Sequence, residues 1–385
     1  MRIFLSCLQS PHDYPIPAYR FWSTYFNEGL NEAGHTVINS QADWARGLLP
    51  LEHDELGQWR EETWTSTVES VRSAHANGRV DLFLSYLYPR QILPCAIRAI
   101  QELGIPCVNF FCDHVREYRS LPDEFAAFDL HWVPEFKALP MYRARGWKHV
   151  HAPMPCWIEP AQRHLPSHEQ RITSFIGGRD PLRAELLAEG IRAGLSIEIR
   201  GAGWLGSTSP VKMARPSFSR NMGHWGEFWG RQGLRATTRR LFSRFALPGL
   251  DFDFSQYVRP VPSMNEYQKI IAQSAVSIGI NRYPSFHHAA SRPDTYSRLR
   301  DIEAPMLGAC YLTEWTEGLD QLYDLDHEIA TYRNTEELIE QTRALLADST
   351  RRQNLRRAGQ LRALSDHTIG RSLSRIASAL GLPSR

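Results

Sequence analysis

Gly177-Gly178-Arg179 follows an apolar run, Ile172 to Ile176, and precedes a segment of helical spacing that opens at Pro181 and carries Arg183. A glycine pair between strand and helix lets backbone approach a phosphate closely. The helix start favours negative charge, and Arg179 or Arg183 adds a guanidinium fork. The same pair serves equally as a plain turn. Arg300 and Glu303 open a second helical segment that runs to Gly308. They read either as a pair facing a ligand cleft or as an exposed i, i+3 ion pair worth a few tenths of a kcal/mol. Asp113 and His114 stand at the carboxyl end of an apolar strand, where a general acid or base is held, though such neighbours also occur as satisfied loop pairs. Asn281-Arg282 stands at the matching strand end in the second half of the chain. Gly201, Gly203 and Trp204 end another strand, with the indole able to stack on a base or to cap the core. Asp251-Phe252-Asp253 and Asp324-Leu325-Asp326 have a D-x-D spacing that can hold a divalent metal through a diphosphate. A three-residue match that occurs twice reads as loop carboxylates.

These residues sit at the ends of elements that alternate in type. Arg2 to Leu8, Val37-Ile38, Val80 to Tyr86 and Pro106 to Phe111 are apolar runs of strand length, with helical spacing over Tyr19 to Ala33 and Gln91 to Leu103. The alternation restarts with Ile172 to Ile176, Pro181 to Ala193, Leu195 to Ile199, Ser263 to Gln273, Ala275 to Ile280, Cys310 to Leu312 and Glu336 to Ala347. Near-continuous apolar strands separated by helices predict parallel sheets covered on both faces. The proline-rich stretch from Pro153 to Pro166 reads as a linker. The expected architecture is α/β, with two doubly wound Rossmann-like domains facing a central cleft at residues 1–160 and 170–365 and a terminal helix in 366–385.

Composition excludes several classes. Of 385 residues, 42% are hydrophobic and 22% charged, and the net charge is +2, so no whole-molecule field gathers nucleic acid. The six cysteines show no C-x-x-C or zinc-finger spacing, which argues against a structural metal site or a disulfide framework. The opening residues are too briefly apolar for a signal-peptide core, and no run approaches the roughly 20 apolar residues of a membrane span, so a cytoplasmic setting is expected. A basic insertion at 205–255 departs from this even balance: Leu205 to Leu250 holds eight basic residues against Glu227 alone. Arg231, Arg235 and Arg239 share a helical face there, beside an apolar stripe of Leu234, Leu241, Phe242 and Phe245. That segment either packs on its own domain, clasps an anionic acceptor, or rests on the inner face of an anionic membrane.

The run from Tyr296 through Arg298, Arg300-Asp301-Ile302-Glu303 and Gly308 to Glu314 continues with Thr331-Tyr332-Arg333, Glu336-Glu337-Leu338 and Asp366-His367-Thr368. It resembles the group 1 glycosyltransferases, in the branch typified by the spore-coat maturation (CgeB-like) enzymes. Weaker likeness extends to Ser174 to Arg179, Gly201 to Trp204, Ile280 to Arg282, Asn109 to His114 and Asp129 to Val133. The resemblance implies a GT-B fold with the nucleotide-sugar on the C-terminal domain, the acceptor on the N-terminal one, and a last helix that crosses back to the first domain. It implies that Glu303 accepts from the ribose hydroxyls, that Arg300 balances the diphosphate and that Asn281 and Arg282 line the donor site. Many relatives carry another glutamate eight positions before the ribose-binding one; Thr295 stands there here, leaving that sugar contact and the stereochemical course open.

The resulting expectation is a metal-independent glycosyltransferase. Its donor site is built from Gly177, Gly178, Arg179, Gly203, Trp204, Asn281, Arg282, Arg300 and Glu303, with Asp113 or His114 as base or positioning group. A nucleotide diphosphate sugar is the co-substrate, no other cofactor is expected, and a glycan or other hydroxyl compound is the acceptor. The competing expectations are a nucleotide-sugar epimerase or hydrolase that uses no acceptor, and a non-catalytic binding protein on the same shell.

Overall fold

The computed structural model describes residues 1–14, 19–205, 252–283 and 295–383. The basic segment after Leu205, with its arginine face and apolar stripe, lies outside the described residues, as does Asp251 of the first D-x-D string. Contacts divide the chain into two compact units: Met1–Trp157 with His367–Arg385, and Ile158–Asp366.

In the first unit, β1 (Arg2–Cys7), β2 (Thr36–Asn39), β3 (Leu82–Tyr86), β4 (Cys107–Phe110), β5 (Leu130–Val133) and β6 (His149–His151) form one sheet in the order β2-β1-β3-β4-β5-β6. All neighbours pair in parallel. Every residue of β3, β4 and β5 is buried, as a sheet with both faces covered requires. The long helix His53–Ala76 contributes buried Trp59 and Trp64. The Trp64 indole N–H donates to the Gln91 carbonyl (2.7 Å), the Gln91 side chain donates to the Trp44 carbonyl (2.6 Å), and the Trp44 and Trp64 rings meet edge to face at 5.1 Å. This interlock satisfies the polar atoms that come with large buried rings.

The helix Ile369–Leu380 packs on Tyr19–Glu32 of the same unit. It is capped by the Thr368 hydroxyl at its start and by Gly381 in the left-handed region at its end. The approach is close. A Cβ on Gly29 would collide with the Ile369 side chain, and one on Gly370 would lie 2.9 Å from the Ala33 Cβ.

In the second unit the sheet order is β12-β11-β10-β7-β8-β9, again all parallel. Its strands are β7 (Gln170–Ile176), β8 (Ile197–Arg200), β9 (Val258–Arg259), β10 (Ser274–Gly279), β11 (Tyr311–Glu314) and β12 (Ala330–Tyr332). Leu186, Leu187, Ile191, Ile197, Ile199, Val276, Ile278, Leu312 and Leu338 make its core, each contributing about 1.5–3 kcal/mol by leaving water. The helix Ser349–Asp366 is fixed by Arg352, which holds Glu169 through two nitrogens, and by Arg356, which donates to the Ala272, Ser274 and Gly308 carbonyls.

Two histidines lie wholly inside the first unit. His114 shares a 2.6 Å hydrogen bond between Nε2 and the Tyr142 hydroxyl, and His131 stacks on Trp147 and packs on Tyr142. Burial pushes both imidazoles from 6.5 down to about 3. In the unfolded chain they take up protons below about pH 6.5, so the unfolded state binds more protons throughout that window and stability falls as pH drops. Between pH 7 and pH 5 each ring is expected to cost the fold about 2 kcal/mol. Denaturant melts of a His131→Phe variant at the two pH values should show an acid loss smaller by about that amount; an unchanged loss would refute the assignment.

Candidate functional site

In the second unit the chain runs outward from β7 through β8 to β9, then returns to the other side of β7 as β10. The carboxyl ends of β7 and β10 therefore form a topological switch point, the place where open α/β sheets hold ligands. A cavity of about 230 Å³ lies there, its wall including Gly177, Arg183, Asn281, Arg298 and Arg300. Its described wall residues carry three arginines and no acid. Burial, together with the positive charges of Arg298 and Arg300, pushes the Arg183 guanidinium down to about 10 against the opposing pull of Asp180 and Tyr296.

The two glycine loops are zipped together. Gly177 N–H donates to the Arg200 carbonyl (2.8 Å), Arg179 N–H donates to the Ala202 carbonyl (2.9 Å), and the Trp204 indole donates to the Gly177 carbonyl (2.8 Å). Gly201, at φ +140°, approaches Gly177 so closely that a Cβ would overlap the Gly177 carbonyl oxygen. Two of the N–H groups expected to face a phosphate are thus spent on the neighbouring loop. The Asp180 carboxylate caps the following helix through Leu182 N–H, and Arg183 reaches back to the Gly178 carbonyl (3.1 Å). Trp204 lies in the core against Phe175 and Phe254, which corrects the base-stacking alternative. Gly203 backs onto Arg179, whose exposed guanidinium lies 6.0 Å over the Phe254 ring.

Beside the cavity, Asp301 is fully buried yet surrounded by donors. It accepts from Ser297 Oγ (2.9 Å), Arg298 N–H (3.0 Å), Tyr311 Oη (2.8 Å), Thr313 Oγ1 (3.0 Å) and Asn281 Nδ2 (3.1 Å). Burial raises its carboxyl while these hydrogen bonds pull it back. Because every partner donates, the pattern fits the ionised form.

Arg282 takes a different course from the cavity arginines. Its Nε contacts Glu314 at 2.7 Å, with both side chains nearly enclosed, and its Nη1 donates to the Leu182 carbonyl. Burial raises the Glu314 carboxyl and Arg282 opposes that rise. Arg300 lies 3.5 Å from Glu303 and 4.8 Å over the Tyr267 ring, and Tyr267 Oη donates to Glu303. The i, i+3 pair read from sequence is therefore present but set in a partly buried frame, with Arg300 in the cavity wall. Thr295 bridges to Arg282 as a short antiparallel contact.

Asp113 and His114 belong to the first unit. Asp113 follows β4 and accepts from Tyr88 Oη at 2.9 Å. His114 is completely buried, with Nε2 on the Tyr142 hydroxyl and Nδ1 3.3 Å from Glu135, and this burial keeps the ring from a substrate and corrects its assignment as a base. Asp253 closes a local turn on Ser255, and Asp324 contacts His327. Among the described residues no group of three or more His, Cys, Asp or Glu is placed to hold a metal ion. Of the residues singled out in sequence, the structure gathers Gly177, Arg183, Asn281 and Arg300 at one cavity with Glu303 adjoining. It adds Arg298 and Asp301, which lay within the quoted run without any signal of burial to mark them.

Residues 220–378 match a family model described as glycosyl transferase-like. No curated protein matches the sequence. Among solved structures, sucrose-phosphate synthase from Thermosynechococcus elongatus gives a TM-score of 0.57 at 14% identity, over 99% of this chain and 98% of its own. A glycosyltransferase from Rickettsia africae gives 0.55 at 9% identity, over 98% of each chain. HepE of Anabaena, in a structure holding UDP-glucose, gives 0.51 at 11% identity, over 99% of each. The fold is GT-B.

Three substitutions separate scaffold from ligand wall. Gly201→Ala is expected to cost about 2 kcal/mol or more in unfolding free energy, through positive φ and backbone overlap, while Gly178→Ala, whose Cβ meets nothing closer than 3.9 Å, should stay within about 0.5 kcal/mol. Arg282→Ala strands the Glu314 carboxylate and is expected to cost about 3 kcal/mol; a denaturant melt that finds less than about 1 kcal/mol would assign Arg282 to ligand rather than to Glu314.

Proposed function

We propose that this chain is a glycosyltransferase, of the spore-coat maturation branch, that binds a nucleoside diphosphate sugar in the cavity between β7 and β10. One observation carries the reading: three arginines, one of them depressed by burial and by the charge of the others, converge on a wall without an acid. Such a wall is stabilised by a polyanion, and a diphosphate supplies one in the size available.

The chemistry follows from that placement. The bond between the anomeric carbon and the diphosphate oxygen breaks, the oxygen keeps the electron pair, and an acceptor hydroxyl bonds to the carbon and gives up its proton. Arg183, Arg298 and Arg300 stabilise the charge that collects on the departing diphosphate, a role that in this reading requires no metal. Glu303, oriented by Tyr267 and Arg300, is the acceptor for ribose hydroxyls. Asp113, at the end of β4, is the candidate proton acceptor on the first unit. The enzyme works in the cytoplasm on a glycan or other hydroxyl compound, with the donor as its only co-substrate. The UDP-glucose held by the Anabaena protein supports a sugar nucleotide as donor.

The test is thermal unfolding of the purified protein with uridine, guanosine, cytidine and thymidine diphosphates, without added metal. A ligand at about 100 times its Kd adds roughly 2.7 kcal/mol to the folded state. One nucleotide is expected to stabilise, with affinity falling ten- to hundredfold in Arg183→Ala and in Arg298→Ala. Stabilisation by none of the four, or shifts that survive both substitutions, would remove the cavity as a donor site.

A further inference from the structure

Asn281 follows β10 and lies in the cavity wall, 1% exposed. Its carboxamide can stand only one way round. The nitrogen end faces acceptors on every side: the Asp301 carboxylate at 3.1 and 3.4 Å, the Glu314 carbonyl at 2.9 Å and Thr313 Oγ1 at 3.3 Å. Thr313 Oγ1 itself donates to Asp301 Oδ1, so its lone pairs are the part turned to Asn281. Reversing the amide would set its oxygen against a carboxylate and a carbonyl.

The oxygen end is consequently fixed, and among the described residues it is enclosed without a hydrogen-bond partner. A buried acceptor left unpaired is costly, so a ligand that fills the cavity with a donor at this atom recovers what the empty protein lacks. Arg298 Nε in the same wall is likewise enclosed without a partner. The two unmet needs differ in sign. A phosphate oxygen only accepts, so it satisfies Arg298 and cannot satisfy Asn281. A hydroxyl donates, and satisfies Asn281.

We infer that Asn281 Oδ1 is the atom by which this cavity reads a hydroxyl, on the ribose or on the transferred sugar beside the diphosphate, and that Asp301 is the positioning residue that holds it ready. The inference rests on the donor site proposed above. It adds the feature that separates a sugar nucleotide from a bare polyanion: the arginines bind anything with adjacent phosphates, whereas Asn281 rewards only a ligand with a hydroxyl at the right distance.

Calorimetric binding of inorganic pyrophosphate, UDP and UDP-glucose to the whole chain tests this, with the guanosine pair used instead if guanosine is the base that binds. Asn281→Ala is expected to weaken the hydroxyl-bearing ligand about tenfold and to leave pyrophosphate within about twofold. A loss shared by UDP and UDP-glucose assigns the ribose; a loss confined to UDP-glucose assigns the sugar. Asp301→Asn removes one of the acceptors that fix the amide while the Glu314 carbonyl remains, and should show the same selective loss to a lesser degree. Thr313→Val, nearly the same shape and less disruptive, should show it in weaker form. An equal fall for all three ligands, pyrophosphate included, would make Asn281 a prop for the cavity and overturn the inference, as would no change for any. Absence of binding by the unaltered protein to all three would instead overturn the donor site itself, a result read before any variant is made.

Discussion

The ligand end of the second unit depends on a negative charge buried where water cannot reach it. Asp301 is tolerated there because donors from separate parts of the chain converge on it: the residues just before its own helix, the body of β11, and the residue that follows β10. Its backbone carbonyl is taken as well, by Tyr323 Oη at 2.7 Å. An isolated carboxylate in such a place would cost several kcal/mol, so the donors and the acid fix one another. Because Arg298 and Arg300 precede Asp301 closely in sequence, fixing the acid also fixes where two of the three cavity guanidiniums begin.

The arginines of this region divide by partner rather than by position. Arg282 and Arg298 are both close to Asn281, yet Arg282 is neutralised by Glu314 and bridges to Thr295, while Arg298 spends one nitrogen on the Arg282 carbonyl and lies 4.4 Å over the Tyr296 ring. An aromatic face and a carbonyl hold a guanidinium in place without cancelling its charge. The difference decides which of them can act on an anion. It follows from where Glu314 ends β11, a fact of tertiary structure.

Much of the fold is written in the chain as runs of apolar residues. β1, β3, β4 and β10 are buried along most of their length, and β7 from Thr173 to Phe175, and so announce themselves, with boundaries displaced by a residue or two. The helix His53–Ala76 carries no such mark: its buried residues, Trp59, Trp64, Thr67, Val68 and Val71, are spaced through a polar sequence and include a threonine. β9 and β12, two and three residues long, are too short to show a period. At the site, strand-end position was enough to single out Gly177 and Asn281. What sequence withholds is the partner of each side chain. Trp204, Arg282 and His114 are residue types able to meet a ligand, and each is turned to a partner far along the chain: the Gly177 carbonyl, Glu314 and Tyr142. Asp301 reads in sequence as one more helix-start acid, and only the donors brought by β10 and β11 make it a hub.

The chain order of the two units sets the order in which they can be finished. The helix Ile369–Leu380 belongs to the first unit but is encoded after the whole of the second. Its seat, the close approach of Ile369 to Gly29 and of Gly370 to Ala33, stays empty while Ile158–Asp366 is being synthesised. The second unit is continuous in sequence, whereas the first, whose sheet is made earlier, cannot cover its apolar helix face until its last helix has been made. The half of the protein made first is the half closed last.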